Sequence, residues 1–235
     1  MKNIILSTKR NRQIAAFIAF AYILIQCFQF YVYYILPPVS SPVVELLQRS
    51  TALDYWRATL FLISFIGLMY VFLVICIENL KQHFTASIFA FLGFFIFCFL
   101  EISIRSVELF YFHIDLATAY QQAAGGSEQQ AIISQIVAFR DLQHALYFPL
   151  LLLQMIASAI IALTFDRRIR LNYLIIFAFA LNALRLGLRM IGSYAHIDWL
   201  SSALFAVYLP GVFLIFGSIG IWLLRTKNEE NIYLA

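Results

Sequence analysis

Charge is what this sequence lacks. Only 12% of its 235 residues are Asp, Glu, Lys or Arg, and 63% are apolar. A soluble domain is usually about a quarter charged and about half apolar. With a mean hydropathy of +0.86, the chain reads as an integral membrane protein and a soluble fold is excluded. Cysteine is also scarce. Cys27, Cys76 and Cys98 stand singly inside apolar runs with no Cys-x-x-Cys pair, so neither a disulfide framework nor a zinc site is indicated. They read as small buried hydrophobes. There are four histidines, of which only His144 falls deep in an apolar context, which argues against haem. His83, His113 and His196 fall in turns or at interfaces. No serine among Ser103, Ser106 and Ser158 has a nucleophile-elbow context, so no hydrolase triad is visible.

What is present is a set of long apolar runs. The first, residues 14–36, is too long for a signal-peptide core, and no small-residue cleavage site follows it. It reads as an uncleaved helix that ends at Pro37-Pro38, because proline lacks an N–H and restrains the residue before it. Its second half is aromatic (Phe28, Phe30, Tyr31, Tyr33, Tyr34), as in an interfacial belt. A polar loop then leads to a second helix at 58–77. The third run starts near residue 84, and after Leu100 neither proline nor glycine interrupts the chain until Gly125-Gly126, the expected turn. Ser127 with Gln130 reads as a capping box for the next helix, which Pro149 would kink. The expectation is an all-α polytopic membrane protein, one domain over 1–235. Its six helices lie at about 14–36, 58–77, 84–124, 128–165, 171–191 and 199–224. The fourth would be roughly 57 Å long at ~1.5 Å per residue, beyond the ~30 Å hydrocarbon core. The third and fourth are therefore expected to form a long hairpin projecting from the membrane, or to lie over its surface after a bend.

Orientation follows from counting. With six spans, one side takes Lys2, Lys9, Arg10, Arg12, Lys81, Arg167, Arg168, Arg170, Arg225 and Lys227, ten cations, while Arg49 and Arg57 take the other. That bias places both termini in the cytoplasm and the hairpin outside, in a multi-pass protein of the inner (plasma) membrane. It also accounts for the net charge of +4 without a nucleic-acid partner.

Against this background the buried charges are informative. Glu101, Arg105 and Glu108 form an i, i+4, i+7 stripe on the third helix, which Phe112 and Asp115 continue. Arg140, Asp141 and His144 share a side of the fourth helix, and Asn182, Arg185 and Arg189 a side of the fifth. At ~1.5 Å per residue, Glu101 to Glu108 lie roughly 25–36 Å from Phe84, His144 roughly 31 Å from Phe165, and Arg185 and Arg189 roughly 21–27 Å from Leu171. The three sets thus share one depth in the outer half. Each such charge costs about 2.5–3.5 kcal/mol on insertion scales and normally faces the interior or a watery cavity. The three faces are expected to converge. Four arginines face Glu101, Glu108 and Asp141, one positive charge in excess. The guanidinium fork suits carboxylate or phosphate. Asp141 and His144 have a workable ligand spacing, with Glu101 or Glu108 as a third ligand, but four arginines repel a cation and no metal is expected. No cofactor is indicated.

Arg105 with Glu108, then Tyr120-Gln121-Gln122, then Val137-Ala138-Phe139-Arg140-Asp141 with His144 resemble the bacterial six-helix membrane family catalogued as domain of unknown function 4386. That family's pattern is an Arg and Glu pair on the third helix, a polar connection, an Arg-Asp pair followed by His, and a basic turn, here 166–170. The resemblance implies the architecture and the same residues. It implies no activity.

The functional expectation is an outward arginine/carboxylate/histidine site that binds, senses or transports a small anionic or lipid-like ligand. Two alternatives stand beside it. One is a membrane-embedded enzyme with His144 and Asp141 as acid/base and the arginines holding substrate. The other is a non-catalytic accessory subunit that meets a membrane partner through residues 112–139. Ile132, Ile133, Ile136 and Val137 would form that contact or pack on the bundle. The lipid bilayer is the partner that composition itself requires.

Overall fold

A computed structural model describes residues 8–36, 41–49, 51–80 and 82–229. Every regular element among them is helical: α1 Lys9–Ile35, α2 Pro42–Arg49, α3 Ala52–Asn79, α4 Phe84–Ser106, a π-helical stretch Val107–Leu116, α5 Ala117–Gln122, α6 Gly126–Thr164, α7 Asn172–Tyr194, α8 Asp198–Ala206 and α9 Tyr208–Glu229. Six helices are long and apolar enough to cross a membrane, with 84–122 counting as one.

Local chemistry sets the ends. The Thr8 side chain accepts from the Asn11 amide and the Thr51 side chain from the Asp54 amide, each satisfying an orphan donor of a first turn. The expected capping box at Ser127 does not form. The helix begins at Gly126 after an extended Gly125, and Glu128 instead accepts the Ala124 amide at 3.0 Å. α6 continues unbroken through Pro149. Pro37-Pro38 lie outside the described residues. The segment before α3 is no plain loop, since α2 fills it and α3 starts at Ala52, putting Asp54 and Arg57 inside the helix. The sixth run divides into α8 and α9 at Val207, so that Pro210 falls in the first turn of α9. Its missing N–H costs nothing there.

The spans form a ring. Each packs on its predecessor and successor in the order α1, α3, α4, α6, α7, α9, and α9 closes on α1. Polar contacts mark one face of the ring, called proximal here. Asn79 donates to Thr164 at 2.8 Å, Gln82 to Asp166 at 3.1 Å, and the Trp222 indole to Asn172 at 3.0 Å. Arg12 lies 3.8 Å from Glu78 and over the Trp222 ring. Above that face the core is apolar. Phe72 stacks on Phe94 with ring centroids 4.1 Å apart, and Phe179 packs on both. Gly93 lets α4 approach the α6 backbone, because a Cβ there would lie 3.1 Å from the Leu153 carbonyl oxygen.

At the opposite, distal face a smaller core joins α2 to the hairpin through Leu46, Phe112, Leu116, Ile132 and Ile136. The hairpin isoleucines Ile132 and Ile136 are thus covered from within the chain, while Val137 stays exposed. The π-helical turn, bonded i to i+5, alters the stripe expected on the third span. Phe112, His113 and Leu116 are buried and Asp115 is exposed. His113, expected at an interface, has a fully buried side chain.

Candidate functional site

An apolar helix carries the first part of the site. On α4, Glu101 and Arg105 sit one turn apart, and Glu108 follows where the helix widens. Arg105 Nε donates to Glu101 Oε2 at 3.2 Å and Nη1 to Glu108 Oε2 at 2.5 Å. Its Nη2 donates to the Tyr147 hydroxyl of α6 at 2.5 Å, and the guanidinium lies over the Phe61 ring of α3 at 4.8 Å. Gln143 donates to the other Glu108 oxygen at 3.0 Å. Arg105 is therefore satisfied on every side. It ties three helices together with its charge spread over two carboxylates.

The second part is on α7 and is built differently. Asn182 donates to Ser158 of α6 at 2.9 Å, and its carbonyl accepts from Arg185 Nη2 at 3.0 Å. Arg185 lies over the Tyr208 ring at 5.3 Å, and Arg189 over the Tyr147 ring at 5.9 Å. The buried Arg185 Nε has no hydrogen-bond partner. Among the described residues no carboxylate comes within 4.0 Å of either arginine. Stacking occupies the flat face of a guanidinium, whereas its five N–H donors lie in the plane. Both forks thus keep donors available.

Between these parts lies a cavity of about 460 Å³, inside the range of about 300–1,000 Å³ typical of small-molecule sites. Its α4 and α7 walls carry Glu101, Arg105, Arg185 and Arg189. Its α3 wall is purely apolar, with Phe61, Phe65 and Leu68, and α9 adds Val212 and Phe216. The cavity reaches the distal end at Ser193, Ser201 and Phe205. Towards the proximal face the Phe72, Phe94 and Phe179 cluster fills the ring. Gly192 lets α8 lie close over this end, since a Cβ would meet the Ser201 hydroxyl at 2.9 Å.

The expected convergence of three faces needs correction on α6. Asp141 and His144 are exposed and neither lines the cavity. His144 packs its ring on Tyr194, whose hydroxyl donates to the His144 carbonyl at 2.6 Å. The helix period supplies the reason. Residues 143, 147, 151, 154 and 158 lie on one face at 3.6 residues per turn, so α6 points Tyr147, Leu151 and Gln154 inward. Arg140 also leaves the set and pairs with Glu45 of α2. The charge excess survives. Arg105, Arg185 and Arg189 face Glu101 and Glu108, three cations against two anions, leaving one positive charge.

A second polar cluster was missed altogether. Asp54 and Arg57, both 3% exposed, form an i, i+3 ion pair on α3. His113 Nε2 lies 3.4 Å from Asp54 Oδ2, and Arg57 Nη1 donates to the Tyr33 hydroxyl at 3.1 Å. Tyr33 in turn lines the cavity. The signal was available, since Asp-x-x-Arg directly before an apolar run places two opposite charges on one helix face. Among the described residues no three His, Cys, Asp or Glu side chains are grouped to hold a metal ion.

Comparison with family models, with curated proteins and with solved structures returned no match.

Proposed function

We propose that this protein is a multi-pass membrane receptor or carrier whose distal cavity binds a small anionic or lipid-like ligand. The observation that carries the reading is the pair Arg185 and Arg189. Both line the cavity, neither has a carboxylate within 4.0 Å among the described residues, and the buried Arg185 Nε has no hydrogen-bond partner there. Arginine stays charged in any protein setting, and an intramembrane charge without a partner marks a functional site. The positive-inside count supports cytoplasmic termini in the plasma membrane, which turns the cavity outward. The packed aromatic core beneath it supports access from that side alone in this conformation. The acid/base reading draws no support from His144 and Asp141, which lie off the cavity.

Native mass spectrometry on protein purified gently from its own membrane tests the proposal. The expected result is a reproducible small-molecule mass on the wild type, absent from an Arg185→Gln, Arg189→Gln double variant that elutes as a folded protein. A wild type that carries no such mass, and whose melting temperature responds to no added organic anion, overturns it.

A further inference from the structure

We infer that the ligand is a compact, ring-bearing organic monoanion, an aromatic carboxylate in class. Its carboxylate sits between Arg185 and Arg189 and its ring rests among the phenylalanines that line the cavity. The inference rests on the reading of the cavity as an anion site and narrows it in three respects.

The first is charge. Arg105, Arg185 and Arg189 are set against Glu101 and Glu108, so the layer carries one unmatched positive charge. A single negative charge neutralises it. A dianion would leave a net negative layer at membrane depth, where unmatched charge is costly. It would also press its second charge towards Glu101, which lines the same cavity.

The second is the placing of the donors. Arg185 and Arg189 are one turn apart on one face of α7, about 5–6 Å between Cβ atoms. That spacing lets two forks take the two oxygens of one carboxylate. Asn182 holds one Arg185 nitrogen at 3.0 Å while the buried Nε has no partner. The Tyr208 and Tyr147 rings cover the guanidinium faces at 5.3 and 5.9 Å, which steers an incoming acid to the edges.

The third is the shape of the apolar surface. On α4 the lining runs from Phe97 to Arg105 and on α7 from Arg185 to Ser193, each roughly 12 Å at ~1.5 Å per residue. Polar groups occur along that whole depth. Gln154 and Arg185 lie at the inner end, Glu101 and Arg189 in the middle, and Arg105 and Ser193 at the outer end. An alkyl tail would have to lie beside them. The apolar surface is instead a wall of rings set beside the charges, Phe61 and Phe65 on α3, Phe97 on α4 and Phe216 on α9. Such a wall suits a flat ring, which stacks or meets ring edges at 4.5–7 Å between centroids.

Isothermal titration of the full chain in neutral-detergent micelles tests this with five probes: phenylacetate, indole-3-acetate, decanoate, terephthalate and the neutral phenylacetamide. The two aromatic monocarboxylates are expected to bind at least about tenfold more tightly than phenylacetamide, the loss associated with a charge-assisted hydrogen bond. They should lose about as much in Arg189→Gln. That side chain is exposed and makes no hydrogen bond among the described residues, so the variant should fold. Arg189→Lys, which keeps the charge and loses the fork, should fall between. If decanoate binds through Arg189 while the aromatic acids do not, the ring-bearing class is overturned and the anion site stands. If terephthalate equals phenylacetate, the single-charge argument is overturned. If no anion binds wild type, both the inference and the reading beneath it fall.

Discussion

His113 of the π-helical stretch places its Nε2 3.4 Å from Asp54 Oδ2, and the same carboxylate pairs with Arg57 one turn further along α3. A widened turn on one span thereby meets the first turn of another in a buried polar contact. Removing the carboxylate leaves the Arg57 guanidinium buried without its ion-pair partner, typically at a cost of about 3–5 kcal/mol. Asp54→Ala is therefore expected to destabilise the protein by that order, and His113→Ala by less, since Asp54 keeps Arg57. Thermal unfolding in detergent compares them. Equal melting temperatures for Asp54→Ala and wild type would show that the cluster holds nothing together.

Arg105 and Arg189 make opposite predictions although both are arginines on the same cavity. Arg105 is bonded to Glu101, Glu108 and Tyr147. Arg105→Ala strands two buried carboxylates and should cost about 3–5 kcal/mol. Arg189 makes no hydrogen bond among the described residues and rests on the Tyr147 ring. Arg189→Gln should leave stability within about 0.5 kcal/mol, as for substitutions away from buried networks. A chemical-denaturation series checks the contrast. If Arg189→Gln unfolds the protein as readily as Arg105→Ala, both arginines are structural.

The sequence carried the six-span architecture and most of the charge layer, for reasons visible in particular residues. Glu101, Arg105, Arg185 and Arg189 stand in runs so apolar that each had to face inward. On α6 the rule failed because Asp141 and His144 lie on the exposed face, away from the cavity. The inward face is given by Tyr147, Leu151 and Gln154, and a tyrosine and a glutamine among apolar residues raise no alarm. The division at Val207 was hidden because Pro210 is as compatible with a mid-helix kink as with a first turn. The burial of His113 depended on a π-helical register that a 3.6-residue period cannot anticipate.

The turn after α6 offers a pH test outside the membrane-spanning segments. The Arg168 backbone N–H donates to Asp166 Oδ1 at 2.8 Å, and Gln82 donates to the other oxygen at 3.1 Å. The Arg168 amide first, and Gln82 second, hold the Asp166 carboxyl below its ordinary value. A depressed folded-state pKa stabilises above the unfolded value and loses that contribution as pH falls through the folded one. The turn should therefore keep its contact to Gln82 at neutral pH and loosen only in acid below the ordinary aspartate value of about 3.9. The chemical shift of the Arg168 amide should report this with a midpoint under that value, and Asp166→Asn should abolish the titration. A midpoint at or above the ordinary value would contradict the arrangement.

Gly93 supplies the last test, because it fixes how closely α4 and α6 hold the two halves of the cavity. A Cβ at this position would come 3.0 Å from the Ala157 Cβ and 3.1 Å from the Leu153 carbonyl oxygen. Neither neighbour is the far end of a flexible side chain, so relief requires the helices to move apart. Gly93→Ala should thus destabilise by about 1–3 kcal/mol, as overpacking does, even though alanine is the better helix former by nearly 1 kcal/mol. The sign of the change is the diagnostic. Stabilisation would mean that propensity prevails and the two helices are not in close contact. Destabilisation with weakened anion binding would follow from geometry, since Tyr147 and Arg105 join the same two helices through one hydrogen bond. Widening their separation lengthens that bond and frees Arg105 from one of its three partners.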